Sequence, residues 1–145
     1  DWDFHKSYSP DGGRTWSRSE RMEGLWSVQP RLARIGNGAL VLTGGRPGLF
    51  CYLCTDGKGE AWQAVNLGAH HNAEVAYEGQ RFSDAFGRAQ KGEHPAMSTS
   101  YTSVMPWGTD GLLVTYDRLS NGWSGAPGPH GEVNRVFSVV LNISF

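Results

Sequence analysis

Two cysteines in 145 residues, a charged fraction of only 19% and a formal net charge of −1 set the first exclusions. Cys51 and Cys54 are too few for a disulfide framework. Three apart in a run that reads as strand, they face opposite sides of it, about 10 Å apart, and do not bond to each other. They read as free buried thiols, with pairing to a segment outside the chain left open, so the redox compartment is not fixed. With neither sign of charge in excess, nothing recommends nucleic acid or an anionic membrane as a partner. No apolar run approaches the roughly 20 residues of a transmembrane segment, and no window keeps a helical period. Metal-ligand spacing is also missing. His70-His71 with Glu74 matches no zinc pattern and reads as a polar cluster in a loop, so neither metal nor cofactor is expected.

What the chain has in quantity is glycine, 20 residues, with six tryptophans and seven prolines. That mixture suits short strands joined by tight turns, and the fold class is all-β. Strands are expected at about 3–9 and 15–21, then over 28–35 and 39–43 around the hairpin turn Gly36-Asn37-Gly38, then at 49–54 and 62–66. Residues 67–98 carry little patterning and read as a long loop with room for a short helix. Residues 101–105 and 112–116 flank the turn Gly108-Thr109-Asp110-Gly111. A Gly/Pro-rich loop from Arg118 to Glu132 precedes a last apolar strand at 136–141. The domain reading is 1–26 as the end of one repeat, 27–66 as one full repeat, 67–98 as loop and 99–145 as a further repeat.

The most specific run is Ser9-Pro10-Asp11-Gly12-Gly13-Arg14-Thr15-Trp16. Asp11 can accept from backbone N–H groups of the turn, Gly12 and Gly13 supply positive φ, and the Trp16 ring can fold back and bury the reversal. A second copy, imperfect, runs Cys54-Thr55-Asp56-Gly57-Lys58-Gly59-Glu60-Ala61-Trp62, with Cys for Ser and one extra residue. Asp11 and Asp56 are 45 residues apart, close to one four-stranded propeller blade. The pattern S-x-D-x-G-x-T-W resembles the Asp-box of sialidase (neuraminidase, BNR-repeat) propellers. That resemblance implies a fragment of two to three blades of a six-bladed propeller, opening inside a blade. It also implies Asp-boxes that stabilise outer turns through Ser9, Asp11, Gly13, Trp16, Asp56, Gly59 and Trp62.

Two further stretches extend the resemblance to a site. Tyr101-Thr102-Ser103-Val104, followed by Gly111-Leu112-Leu113-Val114-Thr115-Tyr116-Asp117, looks like the strand pair that carries the family's tyrosine, so Tyr101 matches the nucleophile. A neutral phenol avoids the repulsion that a carboxylate nucleophile would meet beside the substrate's own carboxylate. Ser27 to Leu42 followed by Gly45-Arg46 resembles an earlier hairpin of the family, and Arg46 matches an arginine that grips that carboxylate. Gln29 stands where that hairpin carries the glutamate base, and an amide cannot take a phenolic proton. Arg81 and Arg88 are available as a third arginine, but neither lies in a matching motif. The resemblance thus implies a glycoside hydrolase acting on terminal acidic sugars, degenerate at Gln29. The alternative is a non-catalytic propeller serving as a structural or interaction subunit. Expected partners are a glycan of sialoside type, the remainder of the propeller and other protein subunits. The family suggests a secreted, lumenal or membrane-associated setting.

Overall fold

The computed structural model describes residues 3–46, 48–82, 99, 101–119 and 134–144. It is mostly β-sheet, in three antiparallel sheets. The first pairs β1 (Phe4–Lys6) with β2 (Glu20–Met22). The second holds β3 (Arg31–Arg34), β4 (Leu40–Gly44), β5 (Phe50–Cys54) and β6 (Gln63–Asn66) in simple up-and-down order. The third holds β7 (Thr102–Trp107), β8 (Gly111–Arg118) and β9 (Arg135–Asn142), also in chain order. Short up-and-down connections follow from the turn chemistry: Gly38 and Gly108 take φ of 95° and 67° in the β3–β4 and β7–β8 turns, a region that an L side chain rarely adopts.

Registers assign the faces. Leu32, Leu42, Tyr52 and Ala64 lie opposite one another across the second sheet, as do Ala33, Val41, Leu53 and Gln63 on its other side. The second of these faces meets the third sheet, whose Leu112, Val114 and Tyr116 alternate inward along β8. Ile35, Ala39, Val41, Leu49, Cys51, Leu112 and Val114 form the centre of this core. The first sheet lies toward the opposite face, where Phe4 meets Tyr52 edge to face.

Between β6 and β7 the segment read as a long loop with room for a short helix does hold one. α1 (Leu67–Glu74) starts at once after β6, capped by Asn66, whose side chain accepts from the Ala69 N–H at 2.9 Å. His70 and His71 therefore sit on a helix, not in a loop cluster. His71 is buried, and its Nε2–H donates to the Gln80 carbonyl at 2.9 Å, which leaves Nδ1 to accept from the Tyr116 hydroxyl at 3.0 Å. A single 3-10 turn follows at Glu78–Gln80. Arg118 is another departure. It ends β8 with 1% of its surface exposed and donates to the Gly79 and Arg81 carbonyls, anchoring that turn. The rest of the reading over 83–98 and 120–133, including Arg88, lies outside the described residues. Among the described residues no helix is long and apolar enough to cross a membrane.

Candidate functional site

The two Asp-containing turns share the bonds of the residue two before the aspartate and of the closing tryptophan, while Asp11 alone also accepts from Thr15. In the first, Ser9 Oγ–H donates to Asp11 Oδ1 at 2.9 Å, and the Gly13 N–H donates to Ser9 Oγ at 2.6 Å. In the second, Cys54 Sγ–H donates to Asp56 Oδ1 at 2.8 Å, and the Gly59 N–H donates to Cys54 Sγ at 3.3 Å. Each tryptophan closes the turn, Trp16 Nε1–H onto the Gly13 carbonyl and Trp62 Nε1–H onto the Gly59 carbonyl, both at 3.1 Å. The extra residue of the second copy is accordingly Lys58, lodged between aspartate and the second glycine. Gly12, Gly13, Gly57 and Gly59 all have positive φ.

Both aspartates are held below the ordinary carboxylate range. For Asp11 the cause is the Thr15 N–H and then the Thr15 hydroxyl; for Asp56 it is the Cys54 thiol and then the Lys58 N–H. The expectation that Trp16 buries its turn is corrected. The ring folds back over Gly13 yet stays 64% exposed, so the turn is held by hydrogen bonds and not by burial.

At the opposite end of the second and third sheets lie the residues that the sequence singled out for chemistry. Antiparallel pairing puts the start of β3, the end of β4, the start of β7 and the end of β8 together there. Thr43 and Thr102 bond through their buried hydroxyls at 3.0 Å, tying β4 to β7. The chain leaves that tie through Gly44 and Gly45 to Arg46, and enters it from Tyr101. As a result the Arg46 guanidinium carbon lies 5.3 Å from the centroid of the Tyr101 ring. This distance is within the range of a cation–π contact.

The supports of this pair are specific. Asp117 Oδ1 accepts from the Tyr101 N–H at 3.3 Å and from the Thr99 hydroxyl at 3.1 Å, clamping the entry to β7. Val28 exchanges backbone bonds with the other side, its N–H donating to the Arg46 carbonyl and its carbonyl accepting from Gly45, each at 3.0 Å. Gln29 is the next residue, exposed, and the one described non-glycine residue at positive φ, 54°. The geometry thus gathers Arg46 and Tyr101 side by side, with Gln29 next to Val28, which bonds the Gly45–Arg46 segment beyond the end of β4. Tyr101 is 49% exposed, so its ring is presented to solvent and not packed in the core.

No family model, curated protein or solved structure matches the chain. What the site can do is therefore argued from its own groups. A guanidinium beside an accessible aromatic face can hold a carboxylate on a ring-shaped ligand, the charge on Arg46 and the ring on Tyr101. Arg81, the one described candidate of the two for a third arginine, is exposed and donates its Nε–H to the Val75 carbonyl at 3.3 Å.

Residue-by-residue reading missed Asp117 as the clamp and Arg118 as a buried group. One signal was in the sequence: the alternation Leu112, Val114, Tyr116 continues without a break to residue 118, which places an arginine on the buried face.

Proposed function

We propose that the chain is part of a sialidase-like, six-bladed propeller whose site is directed at a terminal acidic sugar. The juxtaposition of Arg46 and Tyr101, 5.3 Å apart although far separated in sequence, carries this reading. It is supported by two turns of shared wiring placed at the opposite end of the sheets. On this reading Arg46 orients the sugar carboxylate. The Tyr101 hydroxyl attacks the anomeric carbon, its proton passes to a base and the aglycone oxygen leaves with a proton from an acid.

Gln29 cannot be the base, and its left-handed backbone turns it away from an ordinary strand position. That observation favours the second reading, a propeller that binds an acidic glycan, or serves as an interaction module, without turning it over. The test is hydrolysis of a fluorogenic sialoside by wild type, Tyr101→Phe and Gln29→Glu, with binding of the free acidic sugar followed in parallel. Turnover lost in Tyr101→Phe supports the hydrolase. Binding lost in Arg46→Ala with no turnover in wild type or Gln29→Glu supports the binding module. Neither turnover nor Arg46-dependent binding sinks both glycan readings.

A further inference from the structure

The 3-10 turn between α1 and β7 is fastened to the molecule by side chains. Successive carbonyls from Gly79 to Phe82 each accept from one. Gly79 and Arg81 accept from Arg118 at 2.8 and 3.2 Å, Gln80 from His71 at 2.9 Å and Phe82 from Asn72 at 2.7 Å. The Phe82 N–H donates back to Asn72 Oδ1, also at 2.7 Å. Among the described residues no main-chain bond joins this turn to a sheet, and the Gln80 and Arg81 N–H groups close it on Tyr77 and Glu78. Residues 79–82 are therefore a strap, and one of its fasteners, His71, is of the side-chain type that changes charge near neutral pH.

The bonds of His71 admit one protonation state. With Nε2–H on the Gln80 carbonyl, Nδ1 must be bare to accept from the Tyr116 hydroxyl at 3.0 Å. A proton on Nδ1 forces that hydroxyl to turn and accept instead. Its own proton then loses its acceptor, because Tyr116 is 6% exposed and bonds only His71 among the described residues. Burial pushes the phenol up, so it stays neutral while the imidazole titrates. Charge acts in the same direction: Arg118 on β8 and His70 on α1 both oppose a positive His71, and the Phe82 and Phe137 rings packed on it bring no charge. Glu74 and Glu78, the nearest carboxylates along the chain, are exposed.

We propose that His71 is a proton-operated latch, whose protonation releases the strap 79–82 while the sheets stay folded. Release lets water reach the imidazolium and the Tyr116 hydroxyl, which removes both costs. The strap is fastened at the same end of β8 as the Tyr101 clamp, since Asp117 and Arg118 are successive residues of that strand. The inference rests on this fastening alone and does not depend on the glycan reading.

The test is amide exchange in the 145-residue chain, corrected for the intrinsic effect of pH, with and without urea well below the unfolding midpoint. Protection over residues 80–82 should be lower than over 112–116 and fall about tenfold between about pH 8 and about pH 5. It should not respond to urea, because a local opening exposes little surface. In His71→Gln, whose amide can donate to Gln80 and accept from Tyr116 without titrating, protection over 80–82 should stay level with pH. A second measurement needs no variant: the His71 ring, followed by its NMR shifts, should titrate below 6.5. Protection over 80–82 that matches 112–116 and shares its urea response would overturn the proposal, since release would then be global unfolding. So would a wild type indifferent to pH, an undiminished pH response in His71→Gln, or a ring that titrates at or above 6.5.

Discussion

At the scale of single residues, chemistry here is decided by what holds a group as much as by its type. Cys54 does in the second turn what the Ser9 hydroxyl does in the first, donating to a carboxylate and accepting a backbone N–H. Replacing Cys54 by Ser is therefore expected to leave the urea midpoint nearly unchanged. Cys54→Ala removes both bonds and should cost about 1 kcal/mol. A larger loss for Ser than for Ala would contradict the shared wiring. Cys51, on the other face of β5, has no such partner to define it; burial pushes its thiol up to about 12. Both cysteines are free and buried, so the native protein should give almost no prompt reaction with a thiol reagent at neutral pH, and two thiols after unfolding. Prompt labelling of the native chain would show that the sheet opens there. The pair Arg46 and Tyr101 was legible by resemblance, but its support by Asp117 was not, because a clamp depends on which strand ends meet.

At the scale of elements, the tightest constraint lies where β4 ends. A Cβ on Gly44 would fall 1.5 Å from Ser27 Oγ and 2.8 Å from Ser27 Cβ, so the segment before β3 crosses the end of β4 with no room for a side chain. Gly44→Ala should cost about 2 kcal/mol through this clash. Ser27→Gly in the same chain should restore most of it, since the offending atoms are then gone; the measurement is a double-mutant cycle on urea unfolding. Additive losses would place the strain elsewhere. Because Gly44 leads through Gly45 to Arg46, the same packing sets where the guanidinium emerges. Element boundaries in the second sheet follow the sequence pattern closely, since β4 and β5 are apolar runs bounded by glycine turns. α1 was not legible in the same way, because Leu67, Gly68 and His71 make only a short buried stripe and the Asn66 cap is one residue.

At the scale of the whole molecule, the segment between the second and third sheets is tied to the core by a buried polar network. His71 bonds Tyr116 and Gln80, packs against Phe82 and Phe137, and lies near Arg118, which holds Gly79 and Arg81. Burial holds the imidazole below its ordinary value of 6.5; the bond to Gln80 opposes this, and the charges of Arg118 and His70 add to it. The folded state then binds fewer protons than the unfolded chain. The stability contributed by His71 is complete above 6.5 and is lost as the pH falls below it toward the lower folded value. Urea midpoints between about pH 8 and about pH 5 should fall more steeply for wild type than for His71→Phe. Parallel slopes would exclude His71 as the titrating group.

The sequence by itself determined the strand-rich class, the turns and the spacing of the repeat, because glycine φ, aspartate turn bonds and alternation act over a few neighbouring residues. Through the family resemblance it also singled out Arg46 and Tyr101 as candidates for an acidic sugar, with Gln29 standing where a glutamate base is expected. Only the tertiary structure decided that Arg46 and Tyr101 meet, that Asp117 clamps the entry to β7 and that His71 is buried. Those are contacts across sheets, set by the Thr43–Thr102 tie and by how two apolar faces pack, and no local pattern encodes them.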